Sequence, residues 1–281
     1  MKLPVQVDLA GKVAVVTGAG GVICSVMAEA LAASGAKVAL LDLNEEAAQK
    51  NADAIVAQAY TAKGYKCNVL ERASVEEARE AIAADFGTCD ILVNGAGGNN
   101  PKATTDDEYF MPEDMGSMKT FFDLDPDGVS FVFGLNFMGT LLPTQVFAKD
   151  MVNKKGANII NIASMNAYTP LTKIPAYSGA KAAIVNFTEW LAVYFSKVGI
   201  RCNAIAPGFL ATAQNKNLLF NEDGTPTART GKILAGTPMD RFGEPEELLG
   251  ALLFLASSEA SSFVSGVCIP VDGAFAAYAG V

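Results

Sequence analysis

The N-terminal part of the chain alternates between apolar β-branched runs and helical segments, with a glycine turn between the first two. Residues 12–17 read KVAVVT, a run typical of a strand buried on both faces of a sheet. Gly18, Gly20 and Gly21 lie in the turn that follows, and the pattern then predicts a helix over 22–34. A strand, a glycine turn and a helix in this order leave backbone N–H groups free to bind a phosphate.

The same alternation continues along the chain and predicts an α/β fold. The expected strands lie near residues 12–17, 37–41, 65–69, 89–94, 157–163, 200–206 and 267–271. The expected helices lie near residues 22–34, 44–63, 74–86, 126–153, 174–197 and 244–257. This order predicts a doubly wound, Rossmann-type parallel sheet of about seven strands, with helices on both faces, in one domain spanning residues 1–281. Ligands of such sheets bind beyond the carboxyl ends of the strands.

The second strand ends in Asp42, which lies 24 residues after Gly18. An acid at this spacing typically accepts hydrogen bonds from the adenosine ribose of a bound dinucleotide, and it repels a 2′-phosphate. Asp42 therefore predicts NAD(H) in preference to NADP(H). The alternative is an acid that only stabilises the start of the following helix.

A Tyr and a Lys four positions apart predict acid/base chemistry. Tyr177 and Lys181 would lie one turn apart on a helix, and Ser164 would lie at the end of the strand before them. An ammonium beside a phenol favours the phenolate, so we expect Lys181 to lower the pKa of Tyr177 and make it a general acid/base. Because the chain has no His, Ser-His-Asp and Cys-His chemistry is excluded. On its own the Tyr-Lys spacing also fits a plain surface helix.

Together these motifs resemble those of the short-chain dehydrogenase/reductase family, and the match covers nearly the whole chain. The motifs are Thr17-Gly18, Asn94 to Gly97, Asn136, the Ser164, Tyr177 and Lys181 set, Pro207-Gly208 with Thr212, and Val271 to Gly273. The resemblance implies that Asn136, Ser164, Tyr177 and Lys181 are catalytic. It implies that Asn136 helps to hold a water in a proton relay, that Lys181 contacts the cofactor ribose, and that the segment around Thr212 contacts the nicotinamide amide. The implied cofactor-binding residues are Gly18, Gly20, Gly21, Val22, Ile23, Asp42, Asn68, Val69, Asn94, Ala96, Gly97, Tyr177, Lys181, Pro207, Gly208 and Thr212.

Several further segments are similar to the short-chain fructuronate reductases, also called D-mannonate oxidoreductases. They include residues 97–101, 121–125, 164–167, 170–173, 214–215, 241–243 and 277–281. This narrower resemblance implies an NAD(H)-dependent reduction of D-fructuronate to D-mannonate. The alternatives are another keto-sugar, polyol or 3-oxoacyl reductase of the same family, or a regulator that binds NAD without turnover.

The chain departs from the family's glycine turn, which usually carries glycine where this sequence has Val22 and Cys24. A side chain at the first of these positions could crowd the pyrophosphate, and one at the second could push the helix off the sheet. Gly20 and Gly21 could compensate by giving the backbone freedom slightly earlier. After the third strand, Asn68 replaces the family's Asp and can still hydrogen-bond adenine through its carbonyl.

Two long segments, residues 98–125 and 209–239, interrupt the regular spacing, and the second corresponds to a lid over the substrate in the family. We expect a cation from one of these loops to bind the substrate carboxylate. The candidates are Lys102, Lys119, Lys173, Arg229 and Lys232, each of which could instead be a solvated surface charge. The candidates for binding sugar hydroxyls are Asn99, Asn100, Asn166 and Gln214, although the first two equally fit a turn.

Composition limits the partners. The net charge of −9 and the pI near 4.6 argue against binding nucleic acid or an anionic membrane. Five scattered Cys show no metal-ligand spacing, which predicts reduced thiols, no metal site and a cytoplasmic location. We expect no export signal, and the longest apolar run, residues 248–256, is too short to span a bilayer.

The helix predicted around Tyr177 carries apolar residues wider than one face. A stripe at 184, 187, 191, 194 and 195 is widened by Val185 and Trp190. This suggests burial on two sides and, with the family resemblance, a homotetramer. The alternative is a helix packed deeply within one subunit.

Overall fold

The computed structural model describes residues 7–212, 219, 221 and 225–280. Seven parallel strands form one sheet in the order β3-β2-β1-β4-β5-β6-β7. The strands are β1 (Val13–Thr17), β2 (Lys37–Asp42), β3 (Thr61–Lys66), β4 (Ile91–Asn94), β5 (Asn158–Ile162), β6 (Arg201–Pro207) and β7 (Cys268–Val271). The predicted seven-stranded, doubly wound parallel sheet is therefore confirmed.

Helices cover both faces of this sheet. They are α1 (Val22–Ala33), α2 (Glu45–Val56), α3 (Arg72–Asp85), α4 (Pro126–Phe133), α5 (Gly139–Met151), α6 (Pro175–Tyr194), α7 (Ala228–Ala235) and α8 (Leu249–Ala256). One buried cluster includes Leu31 of α1 and Leu252 of α8, and a second includes Ile82 of α3 and Phe147 of α5. The apolar β-branched strands are buried because helices pack against both faces of the sheet in these two clusters.

The central strands end in register at the edge that carries the site. Thr17 of β1 pairs with Asn94 of β4, and Asn94 pairs with Asn161 of β5. From β1 the chain continues to β2 on one side, whereas β4 lies on the other side of β1. This reversal of strand order opens a crevice between the loops that follow β1 and β4.

The predicted boundary between the second helix and the third strand was wrong. The expected helix over 44–63 ends at Val56, and the expected strand over 65–69 is β3, Thr61–Lys66. Ala59 has a positive φ of 68°, which ends any continuation of the helix. Since β3 is an edge strand with β2 as its one neighbour, its TAKGYK sequence carries no apolar run to reveal it.

The long helix predicted over 126–153 is interrupted by a π-helical turn, Gly134–Met138, which joins α4 to α5. The whole stretch Pro126–Met151 is long and apolar enough to cross a membrane by length and composition, but half of its most apolar window is buried inside the protein. Val132 and Phe147 are completely buried in it. We therefore interpret it as a core helix of the fold, and its π turn carries Asn136 to the site.

Candidate active site

A cleft of about 860 Å³ lies at the carboxyl ends of the strands, where the strand order reverses. This volume is typical of a small-molecule or cofactor site. Eleven of the predicted cofactor-binding residues line the cleft: Gly18, Gly21, Val22, Ile23, Asp42, Asn68, Val69, Ala96, Gly97, Gly208 and Thr212.

The glycine turn after β1 forms one wall of the cleft. Gly18 has a φ of 70°, and a Cβ added to it would lie 2.9 Å from the Cα of Ala96, so only glycine fits there. Asn51, which the sequence analysis did not single out, donates from Nδ2 to the Ala19 carbonyl at 2.8 Å and holds the turn. The first turn of α1 carries neither a side-chain cap nor an acidic residue. Its backbone N–H groups and positive dipole end therefore fit a pyrophosphate.

Asp42 lies at the end of β2 and lines the cleft there. Its Oδ2 accepts a hydrogen bond from the Gly20 N–H at 2.9 Å, and its Oδ1 accepts one from the Asn44 N–H at 2.9 Å. Gly20 is thus used to fix the carboxylate and does not line the cleft itself. These two contacts fix the carboxylate in the cleft, at the position that the spacing predicts for a ribose-binding acid.

The predicted role of Asn94 in the site is indirect. Asn94 is buried and donates from Nδ2 to Asn161 Oδ1 at 2.9 Å and to Thr144 Oγ1 at 3.0 Å. Asn161 donates in turn to Thr188 Oγ1 at 2.9 Å. This buried network ties β4 and β5 to α5 and α6 and so fixes the floor behind the cleft. Pro207, at the end of β6, likewise does not line the cleft.

Thr17 positions the loop after β4, a role that the sequence analysis did not assign. Its Oγ1 accepts hydrogen bonds from the N–H groups of Gly95 at 3.0 Å and Ala96 at 3.2 Å. Both contacts bridge about eighty positions of sequence, so no local pattern reveals them. The loops after β1 and β4 are therefore held together on either side of the crevice.

The predicted catalytic residues come from the end of β5 and the start of α6. Ser164 caps a short 3-10 turn, and its Oγ accepts from the Asn166 N–H at 3.3 Å. Tyr177 and Lys181 lie one turn apart in α6, with Lys181 Nζ 5.5 Å from the centre of the Tyr177 ring. Lys181 is buried, and its Nζ donates to the Ile162 carbonyl at 2.9 Å. This hydrogen bond fixes the amine behind the phenol.

The pKa of Tyr177 is raised in the structure, whereas the sequence predicts that it is lowered. Burial raises the pKa of Tyr177 above its usual value, and a side-chain hydrogen bond with Ser164 acts in the opposite direction. Burial also lowers the pKa of Lys181 to about 8, so its ammonium gives up its proton more readily than that of a solvated lysine. The prediction that Lys181 lowers the pKa of Tyr177 was therefore wrong, because burial disfavours the charged form of each group. At neutral pH Tyr177 is a protonated phenol, which suits it to donate a proton.

Asn136 joins this group through the π turn. Its Nδ2 donates to the carbonyls of Gly98 at 2.7 Å and Val132 at 2.8 Å, and its Oδ1 accepts from the Gly98 N–H at 3.3 Å. A Cβ added to Gly97 would lie 2.6 Å from Asn136 Oδ1 and 3.2 Å from Lys181 Nζ. Asn136 and Lys181 thus converge on the backbone of Gly97, which lines the cleft.

A family model described as enoyl-(acyl carrier protein) reductase matches residues 18–275. The chain belongs to the short-chain dehydrogenase/reductase family. Among its relatives, an uncharacterized oxidoreductase of Haemophilus influenzae is 64% identical over 281 residues, which is 100% of this chain and 99% of that one. An uncharacterized oxidoreductase of Bacillus subtilis is 52% identical over 279 residues, which is 99% of this chain and 100% of that one.

A solved structure from Haemophilus, described provisionally as a D-mannonate oxidoreductase with bound NAD, is also similar. It is 65% identical, has a TM-score of 0.95, and covers 98% of each chain. The predicted family and fold are confirmed by these matches. Oxidoreductase chemistry on CH–OH groups with a nicotinamide cofactor, the chemistry of this family, is thereby supported for the chain.

Four of the five basic candidates for substrate binding are engaged elsewhere. Lys102 pairs with Asp125 at 3.2 Å, and Lys232 pairs with Glu108 at 2.8 Å. The other two donate from Nζ to backbone carbonyls, Lys119 to Pro101 at 2.6 Å and Lys173 to Asp106 at 2.7 Å. These contacts brace the long segment 98–125. The fifth candidate, Arg229, lines the cleft.

Two of the candidates for binding sugar hydroxyls are likewise engaged within their own loop. Asn100 accepts from the Lys102 N–H through Oδ1 at 2.9 Å, which is the turn role that the sequence left open. Asn99 donates from Nδ2 to Thr104 Oγ1 at 3.0 Å within the same loop. Asn166 is buried two residues beyond Ser164. Gln214 lies outside the described residues.

Proposed function

We propose that this member of the family transfers hydride reversibly between a nicotinamide cofactor and a sugar acid, reducing D-fructuronate to D-mannonate. The observation that carries the proposal is the convergence of Ser164, Tyr177, Lys181 and Asn136 beside a dinucleotide-sized cleft. The choice of sugar acid is supported by the relative that is described provisionally as a D-mannonate oxidoreductase. It is also supported by the segments that resemble short-chain fructuronate reductases.

In the proposed mechanism the bound cofactor supplies or accepts the hydride at the substrate carbon. Tyr177 donates its proton to the carbonyl oxygen, since its phenol is protonated at neutral pH and burial raises its pKa further. Ser164 donates a hydrogen bond to the same oxygen and stabilises the charge that develops there. Lys181, fixed by the Ile162 carbonyl, holds the ribose, and Asn136 helps to hold the water that returns a proton to Tyr177.

We further propose that NAD(H) is preferred over NADP(H). The support is the Asp42 carboxylate, which lines the cleft and is held by two backbone N–H groups. A 2′-phosphate placed beside it would bring two negative charges together in a partly buried site. A ribose hydroxyl would instead donate a hydrogen bond to it.

The experiment that tests the proposal is a substrate panel with the purified protein. D-fructuronate, other keto-sugar acids, neutral ketoses and a 3-oxoacyl substrate are each assayed with NADH and NADPH side by side. We expect the largest kcat/KM for D-fructuronate with NADH. Faster reduction of another keto-sugar would assign a different substrate to the same chemistry. Tight NAD binding without turnover of any carbonyl compound would instead favour a cofactor-sensing regulator.

We also propose that the protein acts as a homotetramer in the cytoplasm. The support is an aromatic face on α6, where Trp190 and Tyr194 stack with ring centres 4.6 Å apart and are 54% and 64% exposed. Phe137 and Phe187 extend this face toward α5. Such large exposed aromatic side chains are typical of protein interfaces.

A further inference from the structure

Helix α7 is attached to the long segment 98–125 by an ion pair. Lys232 of α7 contacts Glu108 of that segment at 2.8 Å. Three residues earlier, and so on a neighbouring part of the same helix face, Arg229 lines the cleft together with Ile233. The ion pair therefore holds α7 at a place where Arg229 is presented to a ligand.

Arg229 is a cation without a partner in the part of the chain that the structure describes. It has no hydrogen bond or ion pair there, whereas Lys102, Lys119, Lys173 and Lys232 are each engaged. A guanidinium presents several N–H donors in one plane, which matches the two oxygens of a carboxylate. Arg229 is also exposed, so its guanidinium is open to a ligand that enters the cleft.

Charge is distributed unevenly along the cleft. Within the described ranges, Asp42 and Arg229 are the two lining residues with charged side chains. Asp42 ends β2, whereas Arg229 lines the cleft with Gly208 and Thr212, which follow β6. Since β2 and β6 are four strand positions apart, their ends are separated by roughly 19 Å. The positive charge thus lines the part of the cleft next to β6, which pairs with β5, the strand that precedes Ser164.

We propose that Arg229 binds the carboxylate of the substrate and selects anionic polyhydroxy ketones over neutral ones. This inference rests on the proposed function, since it names the group that recognises the acid end of the sugar. A local cation is needed because the net charge of −9 repels an anionic substrate. Arg229 acts on binding and selectivity, while proton transfer stays with Tyr177.

The test is a calorimetric titration of the NAD-saturated protein with D-mannonate and with D-mannitol, its neutral counterpart. The proteins are the parent, Arg229→Met, Arg229→Lys and Lys102→Met, the last removing a cation from the same set of candidates. We expect Arg229→Met to weaken D-mannonate binding about 10- to 100-fold and to leave D-mannitol binding unchanged. Arg229→Lys should lose less affinity for D-mannonate, and Lys102→Met should lose none. The affinity of every variant for NAD should stay within about twofold of the parent's.

Three results would overturn the inference. The first is an equal loss of affinity for D-mannonate and D-mannitol in Arg229→Met. The second is a loss of affinity for NAD alone in that variant. The third is a parent protein that does not bind D-mannonate more tightly than D-mannitol. A parallel assay of the parent with D-fructuronate and NADH separates this inference from the proposed function. If the parent turns over D-fructuronate and Arg229→Met binds D-mannonate as tightly as the parent, the role of Arg229 is refuted and the proposed function stands. Absence of turnover, with anion selectivity that depends on Arg229, refutes the choice of substrate alone.

Discussion

The thiol of Cys24 occupies the space where a side chain on residue 95 would begin. A Cβ added to Gly95 would lie 2.2 Å from Cys24 Sγ, far inside van der Waals contact. Cys24 stands in α1 where the family usually carries glycine, and Gly95 lies in the loop after β4. The larger side chain on α1 is thus matched by the absence of a side chain in the loop after β4. This pairing keeps α1 against the sheet despite the altered glycine turn.

We expect Gly95→Ala to lower the free energy of unfolding by about 1–3 kcal/mol, because the added methyl group overpacks a buried site. The displaced α1 should also weaken NADH binding, since its first turn faces the cleft. Thermal unfolding and NADH fluorescence titration measure the two effects. Gly250→Ala is the matched control, because a Cβ there meets nothing within 4 Å.

The pairing itself is tested by a double-mutant cycle with Cys24→Gly. The double variant Cys24→Gly/Gly95→Ala should be more stable than the sum of the two single effects allows, since one change makes room for the other. Strict additivity of the free energies of unfolding would show that the two side chains do not share this space.

Asp42 should control the choice between the two nicotinamide cofactors. Replacing Asp42 by Ala removes the negative charge that a 2′-phosphate would meet, and it also removes an acceptor for the ribose hydroxyls. We expect the ratio of kcat/KM for NADH to that for NADPH to fall about 10- to 100-fold, mainly through KM. An unchanged ratio would show that the discrimination lies elsewhere in the cleft.

Lys181 should reduce the stability of the fold at neutral pH. Its pKa falls from about 10.5 in the unfolded chain to about 8 in the fold, so charging it in the folded state is unfavourable. This penalty is present below pH 8 and is lost as the pH rises toward 10.5. Lys181→Met should therefore raise the free energy of unfolding at pH 7 by on the order of 2 kcal/mol, after allowing for the lost hydrogen bond.

Denaturant unfolding across pH 7 to 10.5 measures this effect. The advantage of Lys181→Met over the parent should shrink as the pH increases, while carbonyl reduction by the variant stays very low. A constant difference in stability over that range would mean that burial does not shift the pKa of Lys181 as described.

Trp190 should be needed for assembly. We expect Trp190→Glu to reduce the molar mass measured by light scattering, because a charge on the aromatic face of α6 cannot be buried between subunits. Val56→Glu is a suitable control, since Val56 is 48% exposed on α2. If both variants keep the molar mass of the parent, the aromatic face is not an interface.

Much of this fold could be predicted from sequence, because apolar runs, glycine turns and helix periodicity are local. The predicted bounds of β3 were wrong because local patterns do not determine this strand. Its position depends on pairing with β2 and not on its own apolar content. The match between Cys24 and Gly95 could not be foreseen either. It joins residues about seventy positions apart in sequence, so the departure at Cys24 gives no sign of its partner.

The sequence placed most of its candidate site residues at the carboxyl ends of the strands, where the cleft lies, but it did not predict their electrostatics. The spacing of Tyr177 and Lys181 revealed their proximity but not their burial, and burial decides the direction of both pKa shifts. The partners of the basic side chains could not be foreseen either. Lys232 meets Glu108 across 124 positions of sequence, so only the folded chain shows that Arg229, and not Lys232, lines the cleft in the described part of the chain.

We propose that the buried phenol of Tyr177 delivers the proton during carbonyl reduction. The most direct test is Tyr177→Phe, which removes one hydroxyl group and keeps the ring. Single-turnover reduction of the best substrate is measured beside NADH affinity. We expect the rate to fall by at least about 10²-fold, with NADH affinity within a few-fold of the parent. A variant that reduces the substrate as fast as the parent would contradict the account.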